Sequence, residues 1–217
     1  MDLAASLRGI GIIPVVEISD AADAGPLVEA LDTAGLPCAE ITFRTAAGAA
    51  AIRAARRAIP GLLLGAGTVL TPDQVDQASD AGATFVVTPG FNPKVVARCR
   101  ARGLQVIPGV ATPTEVEMAH AEGLRVLKFF PAEAAGGVPY LRALSGPYRD
   151  VTFIPTGGID LRNLSSYLAL PNVVACGGSW IATRELIDRR DFDTIGRLAA
   201  KAVAAVKAAR TGTGARA

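Results

Sequence analysis

The sequence predicts an α/β fold, a single (β/α)8 TIM barrel with short loops. Two observations lead to this prediction: continuous apolar runs recur at intervals of about 20 to 26 residues, and a helical pattern follows each run. Apolar strands that alternate with helices indicate a parallel sheet covered by helices. An open doubly wound sheet is the alternative, but the count of eight runs favours the closed barrel.

Each of the eight runs is short enough to be one buried strand. In chain order they span residues 12–18, 38–43, 62–69, 85–89, 105–110, 126–131, 152–156 and 173–176. The intervals leave little room for long loops or a second domain, so we expect residues 1–210 to form one barrel domain. From about Thr211 the residues are small, polar and basic, so residues 211–217 are expected to be a flexible C-terminal tail.

Helix-start signals fit this arrangement. Residues 71–74 and 112–115 each combine a threonine cap, a proline at the first helical position and Gln or Glu at the third. Asn92 and Asp160 are two further predicted caps. Between Ile195 and Val206 apolar residues recur at helical spacing, which predicts a last helix that seals the outside of the barrel.

Composition excludes several classes of function. The formal net charge of +2 gives no reason to expect nucleic acid or a membrane as a partner. No apolar run approaches the roughly 18 residues that span a bilayer, no signal-peptide pattern is present, and three separated cysteines predict reduced thiols in a cytoplasmic protein. The single histidine, His120, is predicted to be solvated at the surface. A zinc site with several histidines is therefore excluded. Metal-assisted chemistry through carboxylates alone stays open, although no clustered acidic motif supports it.

The most informative residue is Lys128, which lies inside the apolar run VLKFFP. An ammonium group loses hydration in a buried strand, and this loss favours the neutral, nucleophilic amine. The commonest use of such an amine is a Schiff base with a carbonyl substrate. A strand-end lysine whose charged end reaches water is the alternative.

Glu40 occupies an equally apolar run in the second strand. Because side chains alternate along a strand, Glu40, Thr42 and Arg44 share one face. If Glu40 and Lys128 both face the barrel interior, the carboxylate can relay the protons that carbinolamine formation, dehydration and carbon–carbon cleavage require. A purely structural ion pair between them is the alternative. Arg44 suits a substrate carboxylate through its planar guanidinium, although a surface salt bridge would also explain it.

Loops at the strand ends supply further candidates. Thr68 follows Gly-Ala-Gly at the mouth of the third strand, where glycines let a ligand approach the backbone. Pro89 lies in a turn that either shapes its loop or touches substrate. Phe130 shares the face of Lys128 and could pack against an imine or fill the core.

Two double glycines complete the predicted site. Gly157 and Gly158 close the seventh strand, and Gly177 and Gly178, with Ser179 after them, follow the eighth. In barrels the loops after strands seven and eight form the usual phosphate site. Each pair alone could be a tight turn, but both pairs at the two expected places predict phosphate binding.

Six motifs then resemble, in order, those of the class I bacterial 2-keto-3-deoxy-6-phosphogluconate (KDPG) aldolases, which often also act on 4-hydroxy-2-oxoglutarate (KHG). They are AEITFRT at 39–45, GAGTVL at 65–70, TPG at 88–90, KFFPAE at 128–133, PTGGI at 155–159 and GGSW at 177–180. The likeness runs from about residue 10 to residue 205, and the KFFPAE and PTGGI motifs are its most specific parts.

The resemblance implies a metal-independent homotrimer that cleaves its substrate to pyruvate and glyceraldehyde 3-phosphate. It implies that Lys128 forms the Schiff base and that Glu40 moves protons, through water. The implied binding residues are Arg44 and Thr68 for the pyruvate carboxylate, Phe130, Thr156 and Pro89 for the pocket wall, and Gly157, Gly158, Gly178 and Ser179 for the phosphate.

Other functions remain open at this stage. The sibling aldolases that act on the galactonate epimer (KDPGal) tend to carry arginine at the end of strand one, where this chain has Glu17, and they lack the KFFPAE motif. The gluconate substrate is therefore favoured. A phosphosugar isomerase or synthase on the same barrel would share the phosphate loops without an imine. A non-catalytic barrel that senses sugar phosphates is the third alternative.

Overall fold

The computed structural model describes residues 2–213, which form parallel strands flanked by helices. The strands are β1 Ile12–Val16, β2 Cys38–Thr42, β3 Leu63–Gly67, β4 Phe85–Val87, β5 Gln105–Ile107, β6 Gly109–Val110, β7 Val126–Phe129, β8 Thr152–Pro155 and β9 Cys176–Gly178. The α-helices are α1 Leu3–Ile10, α2 Ala24–Thr33, α3 Gly48–Ala58, α4 Pro72–Ala81, α5 Pro93–Ala101, α6 Pro113–Ala121, α7 Gly137–Ser145, α8 Leu164–Leu168, α9 Arg184–Asp188 and α10 Phe192–Thr213.

The strands form two parallel sheets. Six strands follow the order β5-β4-β3-β2-β1-β9, and the other three follow the order β6-β7-β8. Single parallel bridges join Phe153 to Val173 and Thr156 to Gly177, so the β8 edge of the smaller sheet lies beside β9. The structure is thus an α/β fold whose parallel strands curl into a partial barrel. These ladders form a partial barrel and do not join into the continuous eight-stranded ring that the sequence predicts.

Two of the predicted strands differ from the observed ones. The run 105–110 divides into β5 and β6 at Pro108, because proline has no N–H to donate to the ladder. The run 173–176 places the eighth predicted strand too early. The observed strand, β9, begins at Cys176 and continues to Gly178, while Val173 forms only a single bridge. The other six runs each contain one observed strand, generally shorter than the run.

Three of the four predicted helix caps are confirmed. Thr71, Thr112 and Asn92 each accept a hydrogen bond from a backbone N–H in the first turn of the helix that follows. The prediction for Asp160 is wrong. Its carboxylate accepts the N–H two residues later in a turn, and α8 begins only at Leu164.

Helix α1, which the strand pattern does not include, closes one end of the strands. Leu3 and Leu7 are buried against interior side chains such as Ile13, Phe85 and Ile154, in a cluster separate from the main core between strands and helices. These apolar contacts occupy the interior near the N-terminal ends of the strands. Polar chemistry is thereby confined to the opposite end, where parallel α/β folds carry their sites.

The last helix reaches the first residues of the predicted C-terminal tail. Helix α10 packs against α2 and α8 and extends to Thr213, so residues 211–213 are helical. The rest of the predicted tail, 214–217, lies outside the described residues. Within residues 2–213 no helix is both long enough and apolar enough to cross a membrane.

Candidate active site

Lys128 and Glu40 meet inside the fold. Lys128 lies on β7 and Glu40 on β2, and the two side chains are only 6% and 3% exposed. The lysine Nζ is 3.5 Å from Oε1 of Glu40. Both side chains therefore face the interior, as the alternation of the strands predicts. The alternative in which the lysine reaches bulk water does not hold.

The carboxylate of Glu40 is only partly satisfied. Its buried Oε1 has no hydrogen-bond partner among the described residues. The Nζ of Lys128 forms an ion pair with this oxygen but no hydrogen bond. A buried polar atom without a partner is costly, so such atoms are uncommon away from functional sites. The geometry leaves Oε1 able to exchange a proton with a water or a substrate oxygen.

Gly67 makes room for this carboxylate, whereas sequence reasoning assigned the glycines before Thr68 only a role in the approach of a ligand. A Cβ at Gly67 would lie 2.3 Å from Oε1 of Glu40, far inside van der Waals contact. Gly67 ends β3, and its register partner on β2 is Thr42, which faces the same interior. The sequence signal that could have identified this role is a glycine at the end of β3, the strand that follows the one with the buried Glu40.

Phe130 borders the lysine, and Pro89 packs on the residue that pairs with it. The Nζ of Lys128 lies 5.1 Å from the centroid of the Phe130 ring, within the range of a cation–π contact. Lys128 pairs in register with Gly109, and a Cβ at Gly109 would lie 2.1 Å from the carbonyl oxygen of Pro89. The loop after β4 thus packs directly on the strand partner of Lys128.

Arg44 lies at the rim of the site, just beyond the end of β2. Its guanidinium is 3.7 Å from Oε2 of Glu17, and Oε1 of Glu17 accepts a 2.9 Å hydrogen bond from Arg184 on α9. This partly exposed ion pair contributes little to stability. Among the described residues the other guanidinium donors of Arg44 have no partner, so they are available to a carboxylate. Sequence reasoning assigned no role to Glu17, which here links the two arginines.

Thr68 follows Gly67 with a φ of 56°, a left-handed conformation that is uncommon for a β-branched residue. Backbone strain of this kind tends to cluster at functional sites. Thr68 and Arg44 leave neighbouring strands at the same end, because Thr42 pairs with Gly67. No hydrogen bond or ion pair within the described residues joins either of them directly to Lys128.

The loops after β8 and β9 converge near Lys128. Thr156 is buried and donates its N–H to Phe129, the residue after Lys128. It also bridges Gly177, where a Cβ would lie 2.3 Å from the threonine hydroxyl. Glycine at 177, within β9, therefore allows β9 to approach the loop after β8.

The predicted phosphate residues lie at the ends of β8 and β9 and in the turns that follow. Gly157 and Gly158 have φ values of 103° and 77°, which glycine adopts without strain. Gly178 is buried at the end of β9, and Ser179 is exposed in the following turn. Within the described residues the backbone N–H groups of Gly158 and Ser179 donate to no protein acceptor. Free amides beside glycines are suited to an anion.

The cysteines and the histidine take no part in this site. Cys38 is buried two residues before Glu40 on β2. Burial, together with the charge of Glu40, raises the pKa of its thiol. His120 lies at the surface, but it is not freely solvated: its Nε2 is 2.9 Å from Asp150, which lowers the pKa of that carboxyl. Within residues 2–213 no group of three or more His, Cys, Asp or Glu side chains is arranged to hold a metal ion.

Comparison with known proteins gives a consistent result. The model of the KDPG and KHG aldolase family matches residues 3–198. The 2-dehydro-3-deoxy-phosphogluconate aldolase of Treponema pallidum is 51% identical over 190 residues, which are 88% of this chain and 90% of that protein.

Two solved structures are also similar. The KDPG aldolase of Legionella pneumophila, with pyruvate captured as a covalent carbinolamine, has a TM-score of 0.87 at 39% identity and covers 91% of this chain and 97% of its own. A native KDPGal structure has a TM-score of 0.83 at 30% identity, with 92% of this chain and 96% of that one covered.

Proposed function

The chain belongs to the KDPG and KHG aldolase family, and we propose that it cleaves 2-dehydro-3-deoxy-6-phosphogluconate to pyruvate and D-glyceraldehyde 3-phosphate through a lysine Schiff base. The observation that carries this proposal is the buried amine of Lys128, 3.5 Å from a carboxylate oxygen that lacks a hydrogen-bond partner. Class I aldol chemistry requires this pair of groups, a nucleophilic amine and a group that transfers protons.

In the proposed mechanism the amine of Lys128 attacks the C2 ketone and forms a carbinolamine. Loss of water gives the imine, which withdraws electrons from the C3–C4 bond. Removal of the C4 hydroxyl proton breaks that bond, releases the aldehyde and leaves an enamine. Protonation at C3 and hydrolysis of the imine then release pyruvate and restore the free amine. Glu40, acting through water, accepts and returns the protons.

Substrate binding follows from the two ends of the site. At the rim, Arg44 and Thr68 hold the carboxylate, because a guanidinium and a hydroxyl both donate to carboxylate oxygens. Phe130, Pro89 and Thr156 line the pocket near the reacting carbons.

The phosphate lies at the loops after β8 and β9. Gly157, Gly158, Gly178 and Ser179 bind it through backbone N–H groups and the serine hydroxyl. The unpartnered amides and the positive φ angles of the first pair support this assignment.

The second candidate is the galactonate epimer as substrate. The 51% identity to a gluconate-type aldolase, against 30% to the KDPGal structure, favours the gluconate substrate. Cleavage of 4-hydroxy-2-oxoglutarate to pyruvate and glyoxylate is proposed as a further activity, because the family includes KHG aldolases.

We further infer the architecture and setting of the enzyme. The strands close into a (β/α)8 barrel, in which β5 and β6 act as one strand interrupted at Pro108 and the bridges beside β9 complete the ring. Residues 1–210 form a single domain. The enzyme is a cytoplasmic homotrimer that acts on a soluble phosphorylated sugar acid, and it uses neither a metal nor another cofactor.

The proposed function is tested by one set of cleavage assays. Pyruvate release is measured from the two phosphorylated epimers and from 4-hydroxy-2-oxoglutarate, with wild type, Lys128→Met and the surface variant Lys94→Met. We expect the gluconate substrate to be cleaved fastest, Lys94→Met to match wild type and Lys128→Met to fall to background. Aldol activity that survives in Lys128→Met would refute the imine mechanism. If the wild-type protein cleaves none of these substrates, the proposed function is wrong and the non-catalytic sugar-phosphate sensor is the remaining alternative.

A further inference from the structure

Glu133, five residues after Lys128, connects the loop after β7 to the predicted phosphate loop. Its backbone N–H donates to the carbonyl of Gly157 at 3.1 Å, and the N–H of Ala132 donates to the carbonyl of Thr156 at 2.8 Å. The loop that follows the catalytic strand is therefore bonded along its length to the turn that contains Gly157 and Gly158.

The side chain of Glu133 also supports this turn. A Cβ at Gly158 would lie 2.7 Å from both Cβ and Cγ of Glu133, so the glycine backbone rests directly on the aliphatic part of the side chain. The carboxylate extends away from this contact and accepts a hydrogen bond from the hydroxyl of Tyr167 on α8. The ring of Tyr167 is fully buried, which fixes the position of the donor.

Asn163 holds the other side of the same turn. Its amide Nδ2 donates to the carbonyl of Gly158 at 3.0 Å, and its Oδ1 accepts the N–H of Asp160 at 2.9 Å. The turn is thus held from both sides through its carbonyls, while the N–H of Gly158 makes no hydrogen bond within residues 2–213. A rigid turn with a free amide is preorganised for an anion, because little conformational freedom is lost on binding.

The tyrosine also determines where a negative charge lies. A carboxylate that swung toward the turn would repel a phosphate dianion. The hydrogen bond from Tyr167 holds it on the α8 side. Burial, and then the hydrogen bond to Glu133, raise the pKa of the Tyr167 phenol, which therefore remains a donor at physiological pH.

We propose that Tyr167 and Glu133 are positioning residues that orient the Gly157–Gly158 turn and thereby set the preference for phosphorylated over unphosphorylated substrates. This inference rests on the proposed function of the turn as the phosphate site. Neither residue contacts the reacting carbons, so their effect is expected on phosphate affinity and not on the imine chemistry.

The test compares Tyr167→Phe with wild type on KDPG and on the same sugar acid without its phosphate. Tyr148→Phe is the matched control, because this tyrosine hydroxyl contacts Glu117 at the surface. We expect Tyr167→Phe to raise KM for KDPG about tenfold and to change kcat/KM for the unphosphorylated acid by less than about twofold. Equal losses on both substrates, or an unchanged KM for KDPG, would overturn the proposal.

Two further measurements keep the proposal testable if Tyr167→Phe folds poorly or if the chain cleaves neither substrate. Glu133→Gln retains the stem and an acceptor oxygen, so its KM for KDPG should stay within about twofold of wild type, whereas Glu133→Ala should lose the phosphate preference. Calorimetric affinity for inorganic phosphate should fall in Glu133→Ala and Tyr167→Phe even without turnover. Unchanged phosphate affinity in both variants would refute the positioning role. If the wild-type protein has no aldol activity but both variants still bind phosphate more weakly than wild type, the proposed function is refuted and the positioning role is supported.

Discussion

Replacement of Gly67 by alanine tests whether Glu40 works where the structure places it. The new methyl carbon would lie 2.3 Å from Oε1 and 2.8 Å from Cδ of Glu40, against an ordinary contact of 3.4 Å or more. The carboxylate must therefore move by about 1 Å, and a displacement of that size in a catalytic group costs about a hundredfold in rate. We expect kcat for KDPG cleavage to fall about a hundredfold, with a much smaller change in KM.

The control for this substitution is Gly61→Ala. A Cβ at Gly61 meets nothing within 4 Å, so this variant adds the same methyl group without displacing a neighbour. Overpacking in Gly67→Ala is also expected to destabilise the fold by about 1–3 kcal/mol, so thermal unfolding is measured and rates are compared well below the transition. Wild-type kcat in a folded Gly67→Ala enzyme would refute the assignment of proton transfer to Glu40 at this position.

Three further predictions follow, two for the active site and one for the packing of the buried cysteines. Glu40→Gln should lower kcat far more than it raises KM, because the carboxylate acts in proton transfer; steady-state kinetics with equal kcat would contradict this role. Glu17→Gln should raise KM for pyruvate in the condensation direction by about twofold to fivefold, since Arg44 loses its ionic partner; an unchanged KM would show that Glu17 does not orient the arginine. The three buried cysteines should resist thiol reagents at pH 8 in the native enzyme and react in denaturant, because burial raises their pKa values; a rapidly titrating native thiol would contradict the packing.

The strand pattern could be predicted from the sequence because continuous apolar runs mark segments buried on both faces. Six of the eight runs each contain one strand. The two exceptions have a common cause: hydrophobicity reports burial, whereas a ladder also requires a donor and a partner in register. Pro108 lacks the donor, and Val173 is buried with only a single bridge. How far the strands curl toward a closed ring depends on such pairings and could not be predicted from apolar content.

The buried pair of Lys128 and Glu40 could be predicted because a charged residue in an apolar strand is conspicuous. Lys128 and Glu40 are the only Lys and Glu within the described strands, and the structure brings them together. The residues that support the pair are less visible in sequence. Gly67 is one of 23 glycines, and its role depends on the position of a side chain on the neighbouring strand.

Long-range ion pairs were also beyond sequence reasoning. Glu17 meets Arg184 across 167 positions of the chain, and no local pattern predicts this contact. The same holds for Tyr167, whose hydroxyl reaches from α8 to Glu133 in the loop after β7. Local propensity identified helix starts and buried strands, but the partners of individual polar groups required the folded arrangement.

The central claim is that Lys128 forms a covalent imine with pyruvate, and reductive trapping tests it most directly. The enzyme is treated with pyruvate and borohydride, digested and analysed by peptide mass, with untreated enzyme and Lys128→Met as controls. The account predicts one reduced pyruvate adduct on the peptide that contains Lys128 and none in the variant. An unmodified Lys128, or an adduct on another lysine, would contradict it.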